Sequence, residues 1–218
     1  MQKRLFILHT TPVTVQPLKD LAKELIPDCT VYNIVDDSIL PQLIASDGDL
    51  STVKERVITY VEIAAKQGAD LILDACSSIG GLMPLAQERV EVPVVRIDEA
   101  MAETAVQRGS RIAVAATLGT TLKPTTDLLK EKAAELGQEV ELVPYLAQEA
   151  YWSLVRGDNE AHDRILAETL RRAYEDSDVV VLAQASMARV VEDLSDLDQS
   201  RFLTSPRSGM MKVSQLLR

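Results

Sequence analysis

The sequence of 218 residues contains only two cysteines and two histidines, and aromatic residues make up just 4% of it. His9 and His162 are far apart, and neither lies in a Cys/His cluster with the spacing of metal ligands, so the sequence predicts no metal site. Cys29 and Cys76 are 47 positions apart and follow no segment long enough to be a signal peptide. Both are therefore expected to be reduced thiols in a cytoplasmic protein.

The chain also lacks an excess of positive charge, long apolar runs and phosphate-binding loops. Its 33 acidic residues outnumber its 23 basic ones, and the net charge of −10 argues against a nucleic-acid partner. No stretch approaches the ~18 uninterrupted apolar residues of a membrane span. Neither a G-x-x-x-x-G-K-S/T loop nor a G-x-G-x-x-G loop after a strand is present, so no nucleotide cofactor is predicted.

What the chain does contain is an internal repeat across nearly its whole length. Shifted by 107 positions, residues 4–24 align without a gap on residues 111–131. The identical pairs are Arg4/Arg111, Thr10/Thr117, Thr14/Thr121, Pro17/Pro124, Asp20/Asp127, Leu21/Leu128, Lys23/Lys130 and Glu24/Glu131. Shifted by 108, residues 70–80 align on residues 178–188, which pairs Cys76 with Gln184. The repeat predicts two similar halves of roughly a hundred residues each.

Short apolar, β-branched runs alternate with longer amphipathic segments in both halves. The predicted strands are Leu5–Leu8, Val31–Val35, Leu71–Asp74, Val92–Ile97, Ile112–Ala115, Val140–Val143, Val179–Leu182 and Arg201–Leu203. Helices are predicted between and after them, and Pro17 and Pro124 are each expected to open one. Apolar strands alternating with helices are typical of a parallel sheet covered on both faces. The sequence therefore predicts an α/β fold of two doubly wound lobes, residues 1–97 with 207–218 and residues 98–206.

Ligands of open parallel sheets bind beyond the carboxyl ends of the strands. The residues that follow the first and third strand of each half are small and polar: Thr10, Thr11, Cys76, Ser77, Ser78, Thr117, Thr120, Thr121, Gln184 and Ser186. Helices follow these loops, and helix N-termini attract carboxylates and phosphates. Serine and threonine also cap helices in proteins generally, and for any single residue that plain role is the alternative. Hydroxyls at matching loops of both halves favour an anionic ligand.

Cys76 has two competing interpretations. A buried cysteine is often an inert small apolar residue. Cys76, however, lies between a strand end and a predicted helix start, where the helix dipole is expected to lower the pKa of a thiol and make the thiolate accessible. Cys29, in a Pro-Asp-Cys turn before a strand, has no such setting and is predicted to be structural. This difference favours Cys76 as the chemically active thiol.

The duplicated α/β halves, the thiol after the third strand and the A-T-x-x-T-T loop of residues 116–121 resemble the aspartate/glutamate/hydantoin racemase superfamily, which includes maleate isomerases and arylmalonate decarboxylases. The resemblance covers essentially the whole chain. It implies two pseudo-symmetric lobes with the site in the cleft between them, a small carboxylate substrate, no cofactor and a homo-oligomer, expected to be a dimer. Racemases of this kind use one cysteine in each lobe, a thiolate that removes the α proton and a thiol that protonates the opposite face. By position, Cys76 matches the first cysteine, and the carboxylate-holding positions match Thr10, Ser77, Ser78, Thr117, Thr120 and Thr121.

The sequence departs from the family pattern at the second cysteine. Where the pattern L-G-C-x-G-M is expected, residues 182–187 read L-A-Q-A-S-M, with Gln184 in place of the cysteine. An amide is no acid or base near neutral pH, but it can bind a carboxylate or stabilise an enolate. With Cys76 as acid/base or nucleophile, the sequence leaves open a racemase or isomerase and a single-thiol decarboxylase or lyase. The alternative from another class is a non-catalytic small-anion binding protein or sensor.

Overall fold

A computed structural model describes residues 2–184 and 187–218 of the chain, and every strand predicted from the sequence is present. The strands are β1 (Arg4–His9), β2 (Thr30–Val35), β3 (Leu71–Asp74), β4 (Val94–Arg96), β5 (Arg111–Ala116), β6 (Glu141–Leu146), β7 (Val179–Leu182) and β8 (Phe202–Leu203). The α-helices are α1 (Val15–Leu25), α2 (Ile39–Ala45), α3 (Lys54–Lys66), α4 (Met83–Gln87), α5 (Glu99–Arg108), α6 (Gly119–Glu135), α7 (Gln148–Val155), α8 (Asn159–Glu175), α9 (Ala188–Glu192) and α10 (Ser205–Leu216).

The chain divides into two units, each built on one parallel sheet. The first unit comprises Met1–Glu99 and Pro206–Arg218, and the second comprises Ala100–Ser205. The strand order is β2-β1-β3-β4 in the first unit and β6-β5-β7-β8 in the second, and all neighbouring strands are parallel. The predicted α/β fold of two four-stranded lobes is thus confirmed. In each sheet the two central strands end side by side.

Alternate residues of the central strands face opposite sides of each sheet. In the first unit, Phe6 and Leu8 pack in a core cluster with residues of α2, α3 and α4, whereas Leu5 and Ile7 pack with residues of α1 and α10. The second unit has the same arrangement, with β5 and β7 contributing alternate residues to two clusters. Burial on both faces explains why the strands are continuous apolar runs.

The two units also repeat individual contacts at the amino ends of their central strands. The backbone N–H of Arg4 donates to Oδ2 of Asp70 over 2.8 Å, and the N–H of Arg111 donates to Oδ2 of Asp178 over the same distance. These are the residue pairs that the sequence repeat aligns with each other. The shared topology and the shared contacts are consistent with an internal duplication.

The chain returns to the first unit through α10, which packs closely against the end of β4. A Cβ atom added at Gly209 would lie 2.2 Å from the backbone oxygen of Ile97, so no larger residue fits there without movement of the backbone. We expect Gly209→Ala to lower the free energy of unfolding by about 1–3 kcal/mol, as overpacking does in other cores. Urea denaturation measures the change. Gly119→Ala is the matched control, because no atom lies within 4 Å of its added Cβ; equal effects of the two substitutions would contradict the prediction.

The helices differ from the sequence pattern in two respects. The pattern does not predict α2 or α7, which are short. The prediction that Pro124 opens a helix is wrong, because α6 begins at Gly119 and Pro124 lies inside it. Hydrogen bonds from the N–H groups of Thr121 and Leu122 to the carbonyl of Leu118 already form the first turn. Proline at the sixth helical position removes one further bond without ending the helix.

Candidate active site

The carboxyl ends of β1 and β3 bring Thr10 and Cys76 together. Leu8 of β1 lies opposite Asp74 of β3, and a hydrogen bond of 2.9 Å from Ala75 N to Leu8 O extends the pairing beyond β3. Two residues beyond the Leu8–Asp74 pair, the Thr10 hydroxyl donates a hydrogen bond to Cys76 Sγ over 2.8 Å. The parallel register thus places two predicted site residues in contact although they are far apart in sequence.

The half-buried thiol of Cys76 is held in its protonated form. Burial, followed by the charge of Asp74, raises its pKa to about 11. Hydrogen bonds from the Thr10 hydroxyl and from the backbone N–H groups of Ser78 and Ile79 lower the pKa by less. The prediction of a lowered thiol pKa is therefore wrong. The element that follows is a six-residue 3-10 helix, whose dipole is too weak to outweigh burial and a neighbouring carboxyl group.

Asp74 is the residue that sequence reasoning missed. It ends β3, is 1% exposed, and accepts a hydrogen bond of 2.9 Å from the backbone N–H of Cys76. Burial raises its pKa to about 8; the bond from Cys76 and the charge of Arg96 oppose the rise, and Asp98 adds to it. One signal was present in the sequence repeat, where Asp74 aligns with the apolar Leu182.

The raised pKa of Asp74 makes stability depend on pH. In the folded protein Asp74 keeps its proton up to about pH 8, whereas in the unfolded chain it releases the proton above about pH 4. The contribution of Asp74 to the free energy of unfolding is therefore complete below about pH 4 and is lost as the pH rises through 8. Between pH 6 and pH 9 we expect the free energy of unfolding to fall by about 3 kcal/mol through this group. Urea denaturation at the two pH values measures the fall. Asp74→Asn should remove most of it, and an equal fall in both proteins would contradict the assignment.

The second unit repeats the contact between Thr10 and Cys76 with different atoms. Thr117, which aligns with Thr10, donates to Oε1 of Gln184 from its backbone N–H over 2.7 Å and from its hydroxyl over 2.9 Å. A backbone N–H only donates, so the amide oxygen of Gln184 must be the atom that faces Thr117. The NH2 group of Gln184 is therefore directed away from Thr117 and offers two donors.

The threonine loop of the second unit adds a hydroxyl group without a partner. Thr120 Oγ1 is buried and makes no hydrogen bond within residues 2–184 and 187–218. Leaving such a group unsatisfied costs about 1–3 kcal/mol, which a ligand oxygen at this position would recover. Thr121 is buried beside it in the first turn of α6, and no side chain caps that helix. The loop thus presents hydrogen-bond donors where the sequence predicted an anion site.

The remaining predicted residues have more varied surroundings. Thr11 caps the 3-10 helix Pro12–Thr14 by accepting a hydrogen bond of 3.4 Å from Val13 N, which is the plain structural role. Ser77 and Ser78 are buried in the helix that follows Cys76. Ser186 lies outside the described residues.

A buried histidine fixes the loop that carries Thr10. His9 Nδ1 is 2.7 Å from Thr14 Oγ1, and its Nε2 is 2.9 Å from Asn33 Oδ1, so the ring links β1, β2 and the segment before α1. Burial lowers its pKa, and the hydrogen bond with Asn33 opposes this to a smaller extent. The imidazole is therefore neutral at pH 7 and acts as a bridge immediately before Thr10.

In the described part of the chain, no helix is both long and apolar enough to cross a membrane. Within the same residues, no group of three or more His, Cys, Asp and Glu side chains is placed to hold a metal ion.

Comparisons with known proteins point in one direction. The model of the Asp/Glu/Hydantoin racemase family matches residues 7–208. No curated protein sequence matches the chain. Among solved structures, the glutamate racemase of Francisella tularensis in complex with D-glutamate has a TM-score of 0.77 at 12% identity, over 99% of this chain and 81% of that one. The aspartate racemase of Picrophilus torridus has a TM-score of 0.74 at 13% identity, over 98% and 94%. The allantoin racemase of Klebsiella pneumoniae has a TM-score of 0.63 at 18% identity, over 98% and 86%.

Proposed function

Because the chain belongs to the Asp/Glu/hydantoin racemase family, we propose that it is a cofactor-independent enzyme that acts on a small carboxylate or carbonyl compound through Cys76. The observation that carries the proposal is the setting of the Cys76 sulfur at the end of β3. It is half-buried, it accepts a hydrogen bond of 2.8 Å from the Thr10 hydroxyl, and the backbone N–H groups of Ser78 and Ile79 lower its pKa. A thiolate formed during a reaction is stabilised by such donors.

The chemistry of Cys76 follows from its protonation state. As a base, the thiolate takes the α proton, an S–H bond forms, and the C–H electron pair moves into the adjacent carbonyl group as an enolate. As an acid, the thiol gives its proton to the carbon that carries the electron pair after CO2 leaves, and solvent then restores the thiol. The raised pKa of Cys76 favours the second direction at neutral pH, because the resting group is a thiol. Both directions require one ionisable sulfur and no redox partner.

Gln184 complements Cys76 as a binding group rather than as a second acid or base. Its oxygen is held by Thr117, and its NH2 group is left to donate to a substrate carboxylate, carbonyl or enolate oxygen. The proposed substrate-binding residues are Thr10, Thr11, Ser77, Ser78, Thr117, Thr120, Thr121, Gln184 and Ser186. We propose that these residues donate hydrogen bonds to an anionic substrate, whereas proton transfer is left to Cys76.

The substrates to test first are those of the similar solved structures. These proteins are described as glutamate, aspartate and allantoin racemases, and one is bound to D-glutamate. An amino acid or a hydantoin-like compound has an acidic α C–H bond beside a carboxylate or carbonyl group. A single thiol can remove or deliver the proton of this bond. Malonates with one substituent extend the series to decarboxylation.

An NMR screen in deuterium oxide tests the proposal. The protein is incubated separately with both enantiomers of glutamate and aspartate, with allantoin and with methylmalonate, and the α signals are followed. Deuterium entry, inversion or loss of CO2 that depends on the protein supports an enzyme of this class. If no compound reacts although calorimetry shows that one of them binds, the protein is a binding protein instead.

The binding-protein alternative is favoured by one observation, the amide at the position of the second cysteine. Binding alone, however, does not explain the hydrogen bond of 2.8 Å from the Thr10 hydroxyl to the Cys76 sulfur, and we therefore place the enzyme first.

We also propose a cytoplasmic homo-oligomer, a dimer in the simplest case. Sedimentation equilibrium measures the assembly, and a purely monomeric protein at micromolar concentration would contradict it.

A further inference from the structure

We propose that Asp74 is a positioning residue for Cys76, whose carboxyl group holds the turn that carries the thiol and, once ionised, opposes formation of the thiolate. The inference rests on the proposed function, because it assigns Asp74 to a thiol taken to be reactive. It makes the charge of the sulfur depend on a second buried acid two residues earlier in the chain.

The geometry of the turn links Asp74 to Cys76. Asp74 is 1% exposed, and its Oδ1 accepts the backbone N–H of Cys76 over 2.9 Å. The bond closes a short loop from the end of β3 to the residue that bears the sulfur, in the manner of an Asx turn. Because this bond fixes the backbone of Cys76, it also fixes where the sulfur lies relative to the Thr10 hydroxyl, 2.8 Å away.

The other half of the repeat provides an internal comparison. There Leu182 occupies the position of Asp74, and the backbone beyond the strand is the same, with Ala183 N bonded to Ala115 O over 2.9 Å. A fully apolar strand end therefore supports this fold equally well. The acid in the first unit accompanies the thiol, and the leucine in the second accompanies the amide of Gln184.

The charged side chains that act on Asp74 lie on the β4 side. On the β4 side, Arg96 is bound in a bidentate manner by Asp98, with Nε and one terminal nitrogen each 2.9 Å from a carboxylate oxygen. On the other side, β1 pairs the apolar Leu8 with Asp74. Among the described residues, the charges that act on Asp74 are those of Arg96, which lowers its pKa, and of Asp98, which raises it.

The Arg96–Asp98 pair also supports the element that follows Cys76. A Cβ atom added at Gly80, in the 3-10 helix Ser77–Leu82, would lie 2.4 Å from the Arg96 guanidinium carbon. The guanidinium therefore packs directly against the backbone of Gly80 in that helix. Asp74 and Asp98 are each 1% exposed, and the Arg96 side chain is 13% exposed.

The consequence is a thiol whose ionisation depends on the state of its neighbour. With a pKa of about 8, Asp74 is mostly protonated at pH 7 and opposes the thiolate little. Above pH 8 its negative charge makes a second negative charge on Cys76 unfavourable, because two buried like charges so close together are costly. Asp74 and Cys76 are thus both mostly protonated at pH 7, and ionisation of Asp74 above pH 8 opposes ionisation of Cys76.

Alkylation by iodoacetamide tests the inference without any substrate. The experiment uses the Cys29→Ser protein, in which Cys76 is the only thiol, and measures the alkylation rate by mass spectrometry from pH 6 to pH 10. Asp74→Asn keeps an oxygen that can accept the Cys76 N–H and removes the charge. We expect equal rates near pH 6.5 and rates about fivefold to tenfold higher for the variant at pH 9, because one unit of thiol pKa changes the thiolate fraction tenfold.

Two further measurements keep the result decisive. Asp74→Leu introduces the residue that stands at position 182 in the other half. Its circular dichroism spectrum should show that it folds, and its alkylation rate should depend on pH differently from that of the protein with Asp74. In the protein that keeps Asp74, the logarithm of the rate should rise less steeply above pH 8 than below it, and this needs no variant at Asp74. Superimposable profiles of all three proteins would overturn the inference. Alkylation does not depend on turnover, so that outcome is distinct from failure of the proposed function. The proposed function fails if a protein without Cys76 retains its turnover.

Discussion

Replacing Cys76 with serine is expected to lower the rate of α-proton exchange or decarboxylation of an accepted substrate by at least about a thousandfold, the scale of a general acid–base contribution. Serine retains a small side chain that can still contact the Thr10 hydroxyl. Its own hydroxyl, however, is far too weak an acid to give up and recover a proton at neutral pH. Rates are compared by NMR in deuterium oxide at saturating substrate.

Cys29→Ser is the matched control for Cys76→Ser. Cys29 precedes β2, at the amino edge of the sheet, and its thiol donates only a long contact of 3.7 Å to the carbonyl of Thr30. We expect its replacement to leave turnover within about twofold, because substitutions away from a site rarely alter its chemistry. Calorimetry should show that Cys76→Ser still binds the substrate. Turnover by Cys76→Ser close to that of the control would remove the thiol from the mechanism.

The strands could be predicted because burial on both faces leaves a direct trace in the sequence. Runs such as Leu71–Asp74 and Val179–Leu182 are apolar at almost every position, and both form central strands buried throughout. The helices α2 and α7 leave a weaker trace. α2 has only seven residues with a proline in the middle, and just Ile39 and Leu43 are buried, so its periodicity is too short to recognise.

The position of the candidate site could be predicted from the repeat, but its electrostatics could not. Register alone brings Thr10 to Cys76 and Thr117 to Gln184, because each residue stands two positions beyond a pair of matched strand residues. The pKa of the thiol is raised instead by the burial of Cys76 itself and, after that, by the charge of Asp74. Sequence does not reveal burial at a strand end, where an acid is as often exposed to solvent.

Gln184→Glu is expected to weaken binding of a carboxylate substrate about a hundredfold while leaving the fold intact. The Thr117 N–H and hydroxyl can hold a carboxylate oxygen as they hold the amide oxygen at 2.7 and 2.9 Å. The other oxygen of glutamate then stands where the NH2 group of Gln184 stood, so two donors become an acceptor with a negative charge. A hydrogen bond to a charged group is worth about 1.5–3 kcal/mol, and like charges add to its loss. Calorimetry of the best ligand from the NMR screen measures the change.

Gln138→Glu makes the same chemical change at a site where it should have no effect. Gln138 is exposed and precedes β6, at the edge of the sheet opposite to Gln184. If both variants bind alike, Gln184 does not contact the ligand. If Gln184→Glu binds more tightly than the wild type, the substrate presents an ammonium or hydroxyl donor at this position. The amide would then accept a hydrogen bond there, and the assignment of its NH2 group to a substrate oxygen would have to be reversed.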